Sequence, residues 1–143
     1  MKSVIEFLCI SEDPGLIEIG ECFKAKIPQS RYEYQKKGEA SEKRKSKMKN
    51  RCSSLSVSVK DEDGEQYDDI LLSMIKVYSE CEEYFNAISH ISEFSIAFFQ
   101  EDDYPVSLGF SPEVLTALSS LKKPLIIDCY SVKNADEYFK KIR

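Results

Sequence analysis

The chain has no tryptophan and only one histidine, His90. One imidazole cannot make a multi-histidine zinc site, and no particular thiol is placed to pair with it as a nucleophile. The five glycines, Gly15, Gly20, Gly38, Gly64 and Gly109, are dispersed. No cluster of them would let backbone amides close around a phosphate, and no Gly-x-Ser-x-Gly turn presents a hydrolase nucleophile. Five cysteines, Cys9, Cys22, Cys52, Cys81 and Cys129, are an odd number without a Cys-x-x-Cys pair. Free thiols are expected rather than a disulfide framework or a zinc ribbon, with Cys9, Cys81 and Cys129 acting as small hydrophobes. Apolar runs such as 7–10 and 124–127 are far short of the roughly 20 residues that cross a bilayer. Acidic Glu6, Glu12 and Asp13 follow Lys2 before any signal-like segment develops, so a cytoplasmic protein is expected, with no membrane contact. These absences point away from an enzyme and imply no metal and no cofactor.

What is present suits one domain. A chain of 143 residues with 8 tyrosines and 8 phenylalanines can bury a single core. Residues 4–10 read as a first strand, central and buried on both faces, because Val4, Leu8 and Ile10 are as apolar as Ile5, Phe7 and Cys9. Ser11, Asp13 and Pro14 then start a short helix to about Phe23. Leu55, Val57 and Val59 alternate with serines, the pattern of a strand with one wet face and a candidate edge. Tyr67, Ile70, Leu71, Met74, Tyr78, Cys81, Phe85 and Ile88 recur at helical spacing and predict one long helix. A strand over 94–99 follows, with 106–108 as its hairpin partner. Ser111-Pro112-Glu113 caps a further helix, 125–130 reads as a strand, and Asn134 caps a last short helix. The fold class is α+β: a mixed or mainly antiparallel sheet with helices packed against it, in a single domain over 1–143.

Charge is unevenly distributed. Residues 31–51 hold nine basic and three acidic side chains, a net of +6, whereas the remainder holds 11 basic and 22 acidic, a net of −11. The basic stretch, at about 36–51, is expected to be a mobile loop. Asp61-Glu62-Asp63-Gly64 resembles a calcium loop superficially, but its twelfth residue is Leu72 rather than glutamate, which favours a solvated turn. Asp128 stands alone in an apolar strand, where a carboxylate needs a partner, a water-facing position or a shifted pKa.

Four features in order bear a resemblance: Ile27-Pro28 after the first strand and helix, Lys37-Gly38-Glu39, the strand and long helix from Asp68, and Leu108 with Ser111-Pro112-Glu113 leading to Ile126-Ile127-Asp128-Cys129-Tyr130. Together they span most of the chain, which resembles an uncharacterised bacterial domain family associated with toxin-immunity loci of the contact-dependent or polymorphic kind. The absent tryptophan departs from that family's pattern. The resemblance implies an immunity protein that neutralises a cognate toxin, and it carries over no catalytic residue.

Two binding readings follow. In the first, Asp61, Glu62, Asp63, Asp68, Asp69, Glu82, Glu83, Glu101, Asp102 and Asp103 converge on a negative surface that covers the basic active site of a toxin, such as a nuclease domain. In the alternative, Lys43, Arg44, Lys45, Lys47 and Lys49 bind nucleic acid, with Tyr32 and Tyr34 nearby for stacking. His90 is read as structural.

Overall fold

In a computed structural model, residues 1–39, 51–101 and 107–142 are described. Five strands form one sheet in the order β2-β3-β1-β4-β5: β1 (Lys2–Ser11), β2 (Arg31–Gln35), β3 (Ser53–Asp61), β4 (His90–Glu101) and β5 (Leu125–Val132). All neighbours are antiparallel except β4 and β5, which run parallel. The helices are α1 (Leu16–Lys26), α2 (Tyr67–Glu80), α3 (Glu82–Asn86), α4 (Pro112–Leu121) and α5 (Ala135–Lys141). The α+β class read from the sequence is the class observed.

The period-2 pattern explains which face is filled. Ile5, Phe7 and Cys9 of β1, Leu55, Val57 and Val59 of β3, and Phe94, Ile96 and Phe98 of β4 point to one side, where they are buried. Leu16, Ile19 and Phe23 of α1 and Leu71, Met74 and Tyr78 of α2 close over them. Gly20 permits the close approach of α1, since a Cβ there would stand 2.8 Å from Tyr32 and 2.9 Å from Leu55. At the centre, Phe7 stacks on Phe23 at 5.1 Å and meets Phe94 at 5.2 Å and Tyr78 at 5.6 Å.

Several expectations change. β1 is central, but only one of its faces is fully buried, because among the described residues no helix packs over the side bearing Glu6, Leu8 and Ile10. β3 has its wet face yet is not an edge, since β2 pairs outside it. The long helix divides at Cys81, whose N–H reaches Tyr78 O at 3.0 Å as well as Val77 O at 3.3 Å. The tighter turn redirects α3 so that Phe85 stacks on Tyr78 at 4.3 Å, a change that apolar spacing does not encode. Ser107 and Leu108 form no strand, and Val106 lies outside the described residues. The edge of β4 that a hairpin would occupy is taken by β5, which returns parallel through α4.

Two of the three expected caps are present; the first is not, since α1 starts at Leu16 after Gly15 with no side-chain cap and Ser11 Oγ accepts from Asp13 N at 3.1 Å instead. Ser111 Oγ accepts from Val114 N at 3.2 Å, and Asn134 Oδ1 accepts from Glu137 N at 3.1 Å. α4 ends on Lys122 at φ 54°, a left-handed conformation that suits glycine better than a residue with a Cβ. Replacing Lys122 with glycine is expected to stabilise the fold by about 1 kcal/mol, read as a shift of the urea midpoint at constant slope.

Candidate protein-binding face

The sheet has a second face, and among the described residues only its Lys2 end is covered. There α5 lies across the strands: Phe139 is buried, Phe99 stacks on Tyr130 at 5.4 Å, and Tyr138 is 5.1 Å from Phe99. Two lysines hold α5 in place. Lys2 Nζ meets Asp136 Oδ1 at 2.9 Å, and Lys60 Nζ donates to the carbonyls of Phe139, at 3.1 Å, and Ile142. Cations at the last carbonyls complement the negative end of a helix.

Beyond α5 the register lays out the exposed face in rows. Gln35, Ser54, Ile10 and Ile91 form one; Glu33, Ser56, Leu8 and Glu93 the next; then Arg31, Ser58, Glu6, Ser95 and Ile126; then Lys60, Val4, Ala97 and Asp128. Ile91 is 72% exposed, and Ile10, Ile126 and Tyr130 are exposed too. The face therefore combines exposed apolar groups with four carboxylates, Glu6, Glu33, Glu93 and Asp128, and two cations, Arg31 and Lys60, a formal net of −2. A groove of ≈ 560 Å³, lined by Ile10, Glu12, Asp13, Cys52, His90 and Ile91 among others, extends it at the end away from α5.

Glu6 lies at the middle of this face. Burial pushes its carboxyl above the usual range; a hydrogen bond from Ser56 opposes this, and the nearby charges of Glu93 and Glu33 add to it. With a raised folded-state pKa, the folded chain binds more protons than the unfolded chain between the ordinary and the raised value. Stability therefore falls as pH rises through that window, and the cost is full above it. Glu6→Gln is expected to be more stable than the unaltered chain at neutral pH, with the advantage fading as pH drops below the ordinary carboxylate range. Thermal melts across that range check it.

The acidic residues singled out in the sequence are distributed differently. Asp61 is 4% exposed and accepts from Ser3 Oγ at 3.3 Å, Gly64 N at 3.2 Å and Gln66 N at 3.0 Å, tying the turn before α2. Asp68 accepts from Ser111 N at 2.8 Å and Glu101 from Ala135 N at 2.9 Å, so each anchors the start of a later helix. Glu62, Asp63 and Asp69 are exposed at the same end of the sheet. Glu82 and Glu83 are exposed too, but the 14 residues of α2 separate them from that end by about 20 Å. Asp102 and Asp103 lie outside the described residues, as do Lys43, Arg44, Lys45, Lys47 and Lys49. The runs are thus split between two ends, and three members serve the fold itself.

His90 begins β4, its Nδ1 2.7 Å from Ser92 Oγ and its ring 5.0 Å from that of Phe85. Burial, with Lys123 nearby, holds its imidazole below the ordinary value. Asp128 pairs with Ala97, seven residues along β4 from His90, which puts the two about 23 Å apart. Asp128 is exposed because β5 is an edge strand, and Cys129 is exposed with it rather than packed as a small hydrophobe. Among the described residues no group of three or more His, Cys, Asp or Glu side chains is placed to hold a metal ion, and no helix is long and apolar enough to cross a membrane.

The sequence does not single out Glu6 and Ile10 because β1 reads as buried on both faces, or Ile91 and Glu93 because the strand read over 94–99 starts at His90 in the fold and so takes in both. The usable signal was in β3, whose serines Ser54, Ser56 and Ser58 mark the wet side of the whole sheet once register is known. No protein-family model matches the chain, and no curated protein matches it.

Proposed function

We propose that the chain is a non-catalytic immunity protein that binds a cognate bacterial toxin, a basic nuclease domain, and covers its active site with the exposed face of the sheet. The observation that carries this reading is the gathering of Ile10, Ile91, Ile126 and Tyr130 with Glu6, Glu33, Glu93 and Asp128 on one face. Apolar side chains supply the desolvated centre of an interface, while four carboxylates against Arg31 and Lys60, the latter turned to α5, favour a basic partner over an acidic one. Five strands spaced about 4.8 Å apart and some nine residues long span roughly 700 Å² in all, and since α5 takes the Lys2 end the open part is smaller than the ~800 Å² that one side of a standard interface contributes. Glu6 fits the same scheme, because an arriving Lys or Arg would draw its raised carboxyl back toward the ionised form.

The test is co-expression with the toxin-like product of the adjacent gene. A stable complex, protection of the cells and an association rate that falls steeply with added salt are expected. Failure to protect would overturn the immunity reading. Binding of labelled RNA or DNA by the chain itself, lost when Lys43, Arg44, Lys45, Lys47 and Lys49 are neutralised, would replace it with a nucleic-acid-binding one.

A further inference from the structure

Two cysteines that the sequence keeps far apart meet where α1 crosses the end of α2. Cys22 Sγ and Cys81 Sγ are 3.9 Å apart although 59 positions separate them in the chain. Cys22 lies within α1, and Cys81 is the residue between α2 and α3. Both are half-buried, so a small reagent can reach them, in contrast to Cys9 in the core.

We propose that Cys22 and Cys81 are a redox pair that closes to an intramolecular disulfide and staples α1 to the junction of α2 and α3. Closure asks the sulfurs to approach by just under 2 Å, to the ~2.05 Å of a disulfide. Cys81 is well placed to give way, because its backbone, at φ −98° and ψ 13°, belongs to neither helix interior.

The oxidant class is a low-molecular-weight disulfide. One cysteine loses its proton, and its thiolate attacks the reagent; the reagent S–S bond breaks, and one half leaves as a thiolate that takes up a proton. The second cysteine, also deprotonated, attacks the protein sulfur of the mixed disulfide and expels the other half. Two protein S–H bonds are exchanged for one S–S bond, while the reagent is reduced to two thiols. In either order Cys81 must act once as a thiolate. Its thiol is pushed up to about 11 by burial and by Cys22 beside it, with Glu80 of α2 adding to the effect. Glu80 is itself paired with Lys26 of α1 at 3.6 Å. Closure is therefore slow at neutral pH and accelerates as pH rises toward that value.

The pair lies in the helix layer, on the opposite side of the sheet from the proposed docking face, so its behaviour is independent of any toxin. The purified full chain is treated with oxidised glutathione at mildly alkaline pH. Expected are the loss of two hydrogens by intact mass, a peptide linking Cys22 to Cys81, reversal by dithiothreitol, and a melting temperature raised by about 10 °C. Cys22→Ser and Cys81→Ser should each abolish closure, and the Cys52→Ser, Cys129→Ser double variant should retain it. Should either single variant fail to fold, peptide mapping of the unaltered chain decides. Stable glutathione adducts without closure, chains joined through Cys129, or closure persisting in Cys22→Ser would overturn the pair.

Discussion

Ile91→Arg is expected to weaken partner binding by at least about 30-fold, equivalent to ~2 kcal/mol, while leaving the melting temperature of the free chain nearly unchanged. The two expectations come from the same fact: with 72% of its surface exposed, Ile91 contributes little to the fold and has most of its area available to a partner. It lies directly opposite Ile10 on β1 and beside the ≈ 560 Å³ groove, so a partner side chain entering there would desolvate both isoleucines together. An arginine would remove the apolar contact and repel a basic partner. Leu115→Arg is the control, since Leu115 is 55% exposed on α4 in the helix layer and should leave binding intact. Titration calorimetry on both variants separates the faces. Loss with Leu115→Arg and none with Ile91→Arg would place the partner on the helices and remove the sheet face from the mechanism.

Phe7→Ala should cost about 3–5 kcal/mol of folding stability. Phe7 is fully buried at the middle of the central strand, with the rings of Phe23, Tyr78, Phe85 and Phe94 between 5.1 and 6.1 Å away. Truncation leaves a cavity bounded by two strands and three helices, none of which can collapse into it without leaving another neighbour. Since a domain of this size commonly has only 5–15 kcal/mol in total, a substantial unfolded fraction is expected on modest warming. Urea denaturation followed by circular dichroism gives the value. A cost under ~1.5 kcal/mol would mean that the aromatic cluster repacks and is not the keystone its geometry suggests.

Most local signals in the sequence carried through to the structure where their cause was local, the Ser11 cap being the exception because α1 starts later, after Gly15. Ser111 and Asn134 cap helices because a side-chain oxygen three residues ahead of a free N–H is a property of a short segment. Leu55, Val57 and Val59 face inward because alternation is intrinsic to a strand. Features that depend on distant partners were not legible. Nothing in Asp61-Glu62-Asp63 says that the first carboxylate accepts three hydrogen bonds while its neighbours face water. β1 looks doubly buried because its apolar residues occupy both parities, and only the strand order and the position of α5 show which parity lacks a cover among the described residues. The Cys22–Cys81 contact arises from how α1 crosses α2, which no pattern within either helix specifies.

The central position of β1 also has a consequence in time. Its hydrogen-bonding partners come late in the chain: Ser3 pairs with Asp61, and Lys2 with Phe99. During synthesis from the N-terminus, the strand bearing Ile5, Phe7 and Cys9 emerges first and must wait about 5–20 s for its last partner at ordinary elongation rates. Until β3 is made, about halfway through that interval, both of its edges are unpaired, and the edge that takes β4 stays open to the end of it. The strand that organises the finished sheet thus spends the longest time with an open edge, and any delay in producing β4 prolongs that exposure.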